Sequence, residues 1–207
     1  VFTAYDLHQR GRLWKIEIDR EAATWLPAEP ESPNAATMVA HELRKGAPEA
    51  SVGDLLVKAV GDDPFMSQAA SLELARRADS FTRDFVFDRE DIEETVALLL
   101  AIKIAKPKDE SWVRLAFDHE NIDVRFEALR WIADGNLISF KNDVEEMLRD
   151  PKLNYKLFEA CLAASNTLKG KPRDGIADIK MLFERVNDPN TPARVRAYAL
   201  RLLPPTD

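Results

Sequence analysis

A single cysteine, Cys161, leaves the chain unable to form an internal disulfide, so covalent stapling contributes nothing to the fold. That suits a cytoplasmic protein and equally a larger extracytoplasmic one that relies on ordinary packing, which leaves the compartment unknown. Glycine is scarce, seven residues in 207 beside twelve prolines, and collagen-like or low-complexity character is excluded. The longest apolar run, VALLLAI at 96–102, has seven residues, far short of the roughly 20 that a membrane span needs. It reads as a buried helix, and no membrane insertion is expected. Basic residues are outnumbered, 29 against 36 acidic, for a formal net charge of −7. No nucleic-acid partner is expected, since duplex binding rests on neutralising phosphates. Neither phosphate-loop glycine motif occurs, nor H-x-x-x-H, C-x-x-C or C-x-x-C-H, which removes the ready signatures of nucleotide, zinc and covalent haem chemistry. The opening VFTAYDL lacks both an initiator Met and a charged leader with an apolar run. No signal peptide is expected there, and the start reads as that of an excised or processed product.

What is present is a chain 45% apolar and 31% charged, a composition that folds. Residues 2–8 and 11–18 suit short strands, with GRLWKIEI alternating after a turn-forming Gly11. A strand-like arm over 1–25 is therefore expected, then a Pro-rich linker over 26–34 within the stretch LPAEPESPNAA at 26–36, with a helix starting at Pro33-Asn34. Across 35–204 the period is helical. Punctuation by Asp, Pro, Asn and Gly predicts helices near 35–45, 51–60, 64–77, 91–105, 109–117, 122–133, 139–149, 153–168, 175–187 and 192–203, with a short one around 80–87.

One pattern comes back. Shifted by 32 residues, Asp118, Phe126, Glu127 and Ala128 fall on Asp150, Phe158, Glu159 and Ala160; shifted by 71, Val124-Arg125 and Ala128-Leu129-Arg130 fall on Val195-Arg196 and Ala199-Leu200-Arg201. Periods of 30 to 40 residues with two helices each signal an α-solenoid. On a helical wheel Val124, Ala128, Leu129, Trp131 and Ile132 share about 160° of arc, and Asp123, Glu127, Arg130 and Asp134 lie opposite, on the expected wet side. Arg125 falls inside the apolar arc, and Arg196 has the same place beside Val195. A guanidinium there needs a carboxylate or carbonyl partner. Asp118, Asp150 and Asp188, each in a turn before a second helix, are the expected partners, forming a structural ladder and contacting helix N-terminal amides.

The D-x(4–5)-V-R-x-x-A-L pattern at the start of second helices resembles HEAT repeats of the PBS-lyase HEAT-like family, over roughly 35–204. It fits well in 109–168 and 175–203 and more loosely in 51–105, where Met66-Ser67 stand in for Val-Arg. The resemblance implies an all-α superhelix of about five helix pairs behind the strand-like arm. More narrowly, RGRLWKIEI, the Pro-rich stretch and LNYKLFEACLAASNTLKGK resemble the junction in large secreted proteins of planctomycetes, which carry a sugar-dehydrogenase-like β-propeller, HEAT repeats and often a cytochrome c domain. That likeness makes 12–18 the tail of a propeller blade, implies a periplasmic or other extracytoplasmic place and a parent that is a dehydrogenase, while this region holds no propeller catalytic residues.

No catalytic, metal or cofactor residue is nominated. His8, His41 and His119 are far apart, and zinc wants three or four converging ligands. Cys161 lies on an apolar arc and reads as a small hydrophobe. Adjacent carboxylates such as Glu93-Glu94 and Glu145-Glu146 diverge by about 100° on a helix and do not converge as an acid–base pair. The basic stretch 166–175 is a weak anion-binding candidate. A non-catalytic scaffold is the expectation, binding a protein or a neighbouring domain of the same chain, with Arg130, Arg194, Tyr198 and Arg201 as contact residues. The alternatives are a small-ligand or lyase-like enzyme, which needs a concave polar pocket, and a glycosylase-type DNA-binding HEAT protein, which needs a basic concave stripe.

Overall fold

The structure, a computed structural model, describes residues 2–5, 11–14, 35–170 and 179–204. The expected linker at 26–34, the helix start at Pro33-Asn34 and residues 171–178 lie outside the described residues, as do His8 and the continuation of the arm beyond Trp14. The chain divides into two units, Val1–Asn34 and Ala35–Asp207. In the first, β1 (Phe2–Tyr5) pairs antiparallel with β2 (Gly11–Trp14) in the register Phe2 to Trp14 and Tyr5 to Gly11. Within the described residues both expected strands are therefore present.

Among its described residues the second unit is built of helices: α1 (Ala35–Lys45), α2 (Val52–Ala59), α3 (Pro64–Arg76), α4 (Arg83–Phe87), α5 (Ile92–Ala105), α6 (Glu110–Phe117), α7 (Ile122–Gly135), α8 (Lys141–Met147), α9 (Tyr155–Leu168), α10 (Ile179–Asn187) and α11 (Ala193–Leu202). The starts follow from side-chain oxygens placed to accept orphan amide hydrogens. Asp63 accepts from Phe65 and Met66, with Pro64 at the first helical position; Asp91 accepts from Glu93, Asp109 from Ser111, Asn121 from Asp123 and Asn154 from Leu157. The stretch 78–87 resolves into a 3-10 turn at Ala78–Ser80 and then α4, capped by Thr82. A second 3-10 turn, Ile138–Phe140, forms the first part of the segment expected as one helix from 139. Helix α7 ends where Asn136 takes a left-handed φ of 48° and Leu137 N–H donates to Ile132 O at 3.0 Å, satisfying a terminal carbonyl.

Packing is pairwise and local. Helices pair as α2 with α3, α4 with α5, α6 with α7, α8 with α9 and α10 with α11, while α1, α3, α5, α7, α9 and α11 each pack on the next of that series to form one row. The core runs along this row through Leu74, Leu98, Ile102, Val124, Ile132, Leu157, Phe158 and Val195. Of the VALLLAI run, Ala97, Leu98, Leu99, Ala101 and Ile102 are buried as expected, and Val96 and Leu100 remain partly open.

Helix α1 is fastened to α3 by a polar clasp. Glu73 is 3% exposed and accepts from Arg76 Nη1 at 2.6 Å and Arg77 Nη2 at 2.9 Å. Those guanidinium groups donate onward to carbonyls at and after the end of α1: Arg76 to Leu43 O at 2.9 Å and Arg44 O at 2.5 Å, Arg77 to Ala47 O at 2.7 Å and Ala50 O at 2.6 Å. Carbonyls with no intrahelical partner are thereby satisfied by a neighbouring helix.

Candidate functional site

The turns after α6 and α8 face a groove of about 1160 Å³ lined by Asp118, Arg125, Asp143, Glu145, Glu146, Arg149 and Asp150, among others. Asp118, Arg125 and Asp150 thus share one groove. Among the described residues, however, no ion pair joins Arg125 to Asp118 or Asp150, or Arg196 to Asp188, and the buried Nε of Arg125 has no hydrogen-bond partner. The carboxylates are engaged locally. Asp150 accepts from Lys152 N–H at 2.8 Å, and Asp188 accepts from Asn190 N–H and Thr191 Oγ1, both at 2.9 Å; the Asn190 amide and the Thr191 hydroxyl hold its carboxyl below the usual range. Nor do Asp118 and Asp150 cap the second helices. Asp118 follows the last residue of α6, and the amides of α7 and α9 are taken by Asn121 and Asn154. An N-cap must directly precede its helix, and these Asp residues stand about one turn too early.

Other charges tie the layers together. Arg114 on α6 forks onto Asp143 on α8 at 2.9 and 3.1 Å, a bond that lowers the carboxyl and raises the guanidinium. Lys103 reaches Asp134 at 2.6 Å, and Lys156 reaches Asp123 at 2.5 Å. These three pairs join residues 29, 31 and 33 positions apart. Glu145 accepts from Lys169 and Ser165, both at 2.6 Å, with Arg185 at 3.5 Å. Burial opposes its ionisation, yet the Lys169 and Ser165 bonds win and its carboxyl lies low, whereas burial pulls Arg185 down. Cys161 is fully enclosed nearby, and burial pushes its thiol well up, the condition of an inert structural thiol.

A second groove, about 410 Å³, opens over α5, α7 and the start of α9 beside the end of α2. Ile92, Val96 and Leu100 recur every fourth residue along α5 and so form one row. With Val60 and Phe126 they make an apolar floor; Glu93, Asp123, Glu127 and Lys156 supply the polar wall. Lys156 lies over the Phe126 ring at 4.4 Å with its charge met by Asp123. Glu127 corrects the wheel reading, which put it on the wet side: it is only 9% exposed, because α7 is packed by α5, α6 and α9 and has little free circumference. One oxygen accepts from Arg130 Nη1 at 2.7 Å, and the other, Oε2, is buried without a partner.

Of the expected contact residues, Arg130 is committed to Glu127. Arg194, Tyr198 and Arg201 come together on α11 against α9: Tyr198 is half-buried, edge-on to Tyr155 at 5.4 Å and near Phe158 at 5.6 Å, with Arg201 over Tyr155 at 4.3 Å and Arg194 over Tyr198 at 6.0 Å. His119 Nδ1 accepts from Asn121 N–H at 3.0 Å and its ring lies against Phe87. Among the described residues no three His, Cys, Asp or Glu side chains converge as a metal site, and no helix is long and apolar enough to cross a membrane. Of the stretch 166–175, Lys169 is bound to Glu145, and 171–175 falls outside the described residues.

The buried glutamates Glu73 and Glu127 escape a reading by polarity alone. A signal does exist: each is followed three residues later by an arginine, Arg76 and Arg130, on a helix of the central row, the spacing that lets a guanidinium close over a carboxylate as it goes under a neighbour. In comparisons with known proteins, the chain matches no family model, no curated protein and no solved structure.

Proposed function

We propose that residues 35–204 form a HEAT-like α-solenoid that acts as a non-catalytic docking frame, holding a polypeptide segment of a protein or of a neighbouring domain in the groove over α5, α7 and α9. Two features support the solenoid: alternate helices pack in a row, and cross-layer ion pairs recur at 29 to 33 residues, close to the 32-residue recurrence of the sequence. The groove carries the docking reading. Its floor is an apolar ridge of α5 that is only partly buried among the described residues, and Ile104, 50% exposed, extends the same four-residue series. Apolar ridges of this kind accept an extended or helical segment through a few anchors.

The test is selection of a random nonapeptide library on the full chain beside its Val96→Arg variant, in which a cationic side chain fills the floor. Peptides enriched on the native chain and lost on the variant are expected. A library that yields no enriched sequence, or sequences that the variant retains equally, refutes the reading. A small-ligand function is a second reading, favoured by Arg125 lining the larger groove with an unpartnered Nε. Thermal stabilisation by a dicarboxylate that disappears in Arg125→Gln would establish it, and no stabilisation across a panel of such anions rejects it.

A further inference from the structure

We infer that the segment docking over α5 and α7 presents a basic side chain, arginine or lysine, flanked by aliphatic residues, and that its cationic head is received by Glu127. This rests on the docking reading above and specifies the chemistry of its occupant. The starting point is the orphan oxygen: Glu127 is 9% exposed, and its Oε2 is enclosed without a hydrogen-bond partner. An ionised carboxylate oxygen held that way is costly, and a donor that reaches it recovers the cost.

The surroundings fix where such a donor comes from. Away from the groove, Leu99, Ala116, Ala128 and Trp131 close around Glu127 in a crevice too tight for a water molecule. Nearby cations are already held: Lys103 by Asp134, Lys156 by Asp123, and Arg130 by the other oxygen of Glu127. Glu127 also lines the groove, so a donor seated there approaches its carboxylate from the open side and meets the enclosed Oε2 once the side chain turns toward it. Three carboxylates, Glu93, Asp123 and Glu127, line the polar wall, and two cations stand on them, Lys156 on Asp123 and Arg130 on Glu127. A visiting cation meets a net excess of one negative charge. The floor of Ile92, Val96, Leu100 and Phe126 suits the methylene stem of a long basic side chain and its aliphatic neighbours, since such stems lie on apolar surface while their heads seek a counter-charge. An acidic or wholly apolar segment would leave Oε2 unpaired and add desolvation or repulsion.

The experiment continues from the library selection. The best enriched peptide is synthesised with its basic residue intact and, as a neutral near-isostere, with citrulline in that place, each carrying a fluorophore for anisotropy. On the native chain the cationic peptide should bind on the order of tenfold or more tightly than the citrulline peptide, as expected for a charged hydrogen bond. In Glu127→Gln, which keeps a carbonyl for Arg130, the preference should fall to within about twofold. Enriched peptides that lack a basic residue, or an equal affinity of both peptides for the native chain, overturn this inference and leave the docking frame standing. Failure of the library to enrich anything overturns both. The comparison of the two peptides on the native chain needs no variant, so it decides even where Glu127→Gln does not fold.

Discussion

Removal of the Glu73 carboxylate should loosen the unit at α1, and by an amount that depends on pH in a defined direction. Losing one partner of a buried ion pair costs about 3–5 kcal/mol when the remaining charge is stranded. Here the stranded charges are not fully enclosed, since Arg76 is 45% exposed and Arg77 20%, and both keep carbonyl acceptors. Glu73→Ala should therefore cost about 2–3 kcal/mol, or about 5–10 °C in melting temperature for a unit of this size. Glu73→Gln, which retains shape and one acceptor, should cost about 1–2 kcal/mol at neutral pH. Burial raises the Glu73 carboxyl, but the hydrogen bonds from Arg77 and Arg76 outweigh it and hold the group below its ordinary range. A carboxyl depressed on folding stabilises above its unfolded value and loses that contribution as pH falls through its folded one. The gap between native and Glu73→Gln chains should thus be full at about pH 7 and close from about pH 4 downward. Urea denaturation followed by far-ultraviolet circular dichroism across that range reads it directly. A gap that is unchanged at about pH 3, or one below about 0.5 kcal/mol at neutral pH, refutes the clasp as described.

Three further outcomes are expected. Asn121→Ala and Asn154→Ala should each cost about 1 kcal/mol in denaturation, while Asp118→Ala and Asp150→Ala stay within about 0.5 kcal/mol, because only the asparagines cap. Gly135→Ala should destabilise by about 1–3 kcal/mol despite alanine's helix preference, because its methyl would lie 3.1 Å from Pro107 O and 3.0 Å from Leu137 Cγ; thermal denaturation measures it, and a stabilised variant contradicts that packing. Cys161 should resist an alkylating reagent at neutral pH and react fully only on denaturation, since burial both shields the thiol and keeps it protonated. Mass spectrometry of the labelled chain reports it, and rapid native labelling shows that α9 opens.

The helices were legible because their punctuation is local. Asp63-Pro64, Asp109, Asn121 and Asn154 place orphan-satisfying oxygens beside apolar periods, and nothing distant is needed to read them. The partner of Arg125 was not legible in the same way, and the expected ladder does not form among the described residues. The wheel places Arg125 on the apolar arc correctly, since its Nε is enclosed, but which carboxylate stands within reach depends on how α6 and α8 sit against α7. Asp143 instead goes to Arg114, two helices away. Glu127 shows the same limit: polarity and angle assign it to water, and only the crowding of α7 by α5, α6 and α9 puts it under cover. The groove was half written in VALLLAI, a run apolar on every side. Packing then decided that Val96 and Leu100 would stay partly open while Leu98, Leu99 and Ile102 were enclosed.

The row of alternate helices also bears on how the protein comes to be folded during synthesis. Each principal helix contact joins segments close in sequence, and the cross-layer ion pairs span 29 to 33 residues. Closing such short stretches costs little chain entropy, and chains dominated by near-neighbour contacts fold fast. As residues emerge one after another, α3 can settle on α1 and α2 before α5 exists, and each later pair finds its docking face already laid down. The polypeptide is thus assembled in the order in which it is made, with one unfinished face at the growing edge at any moment.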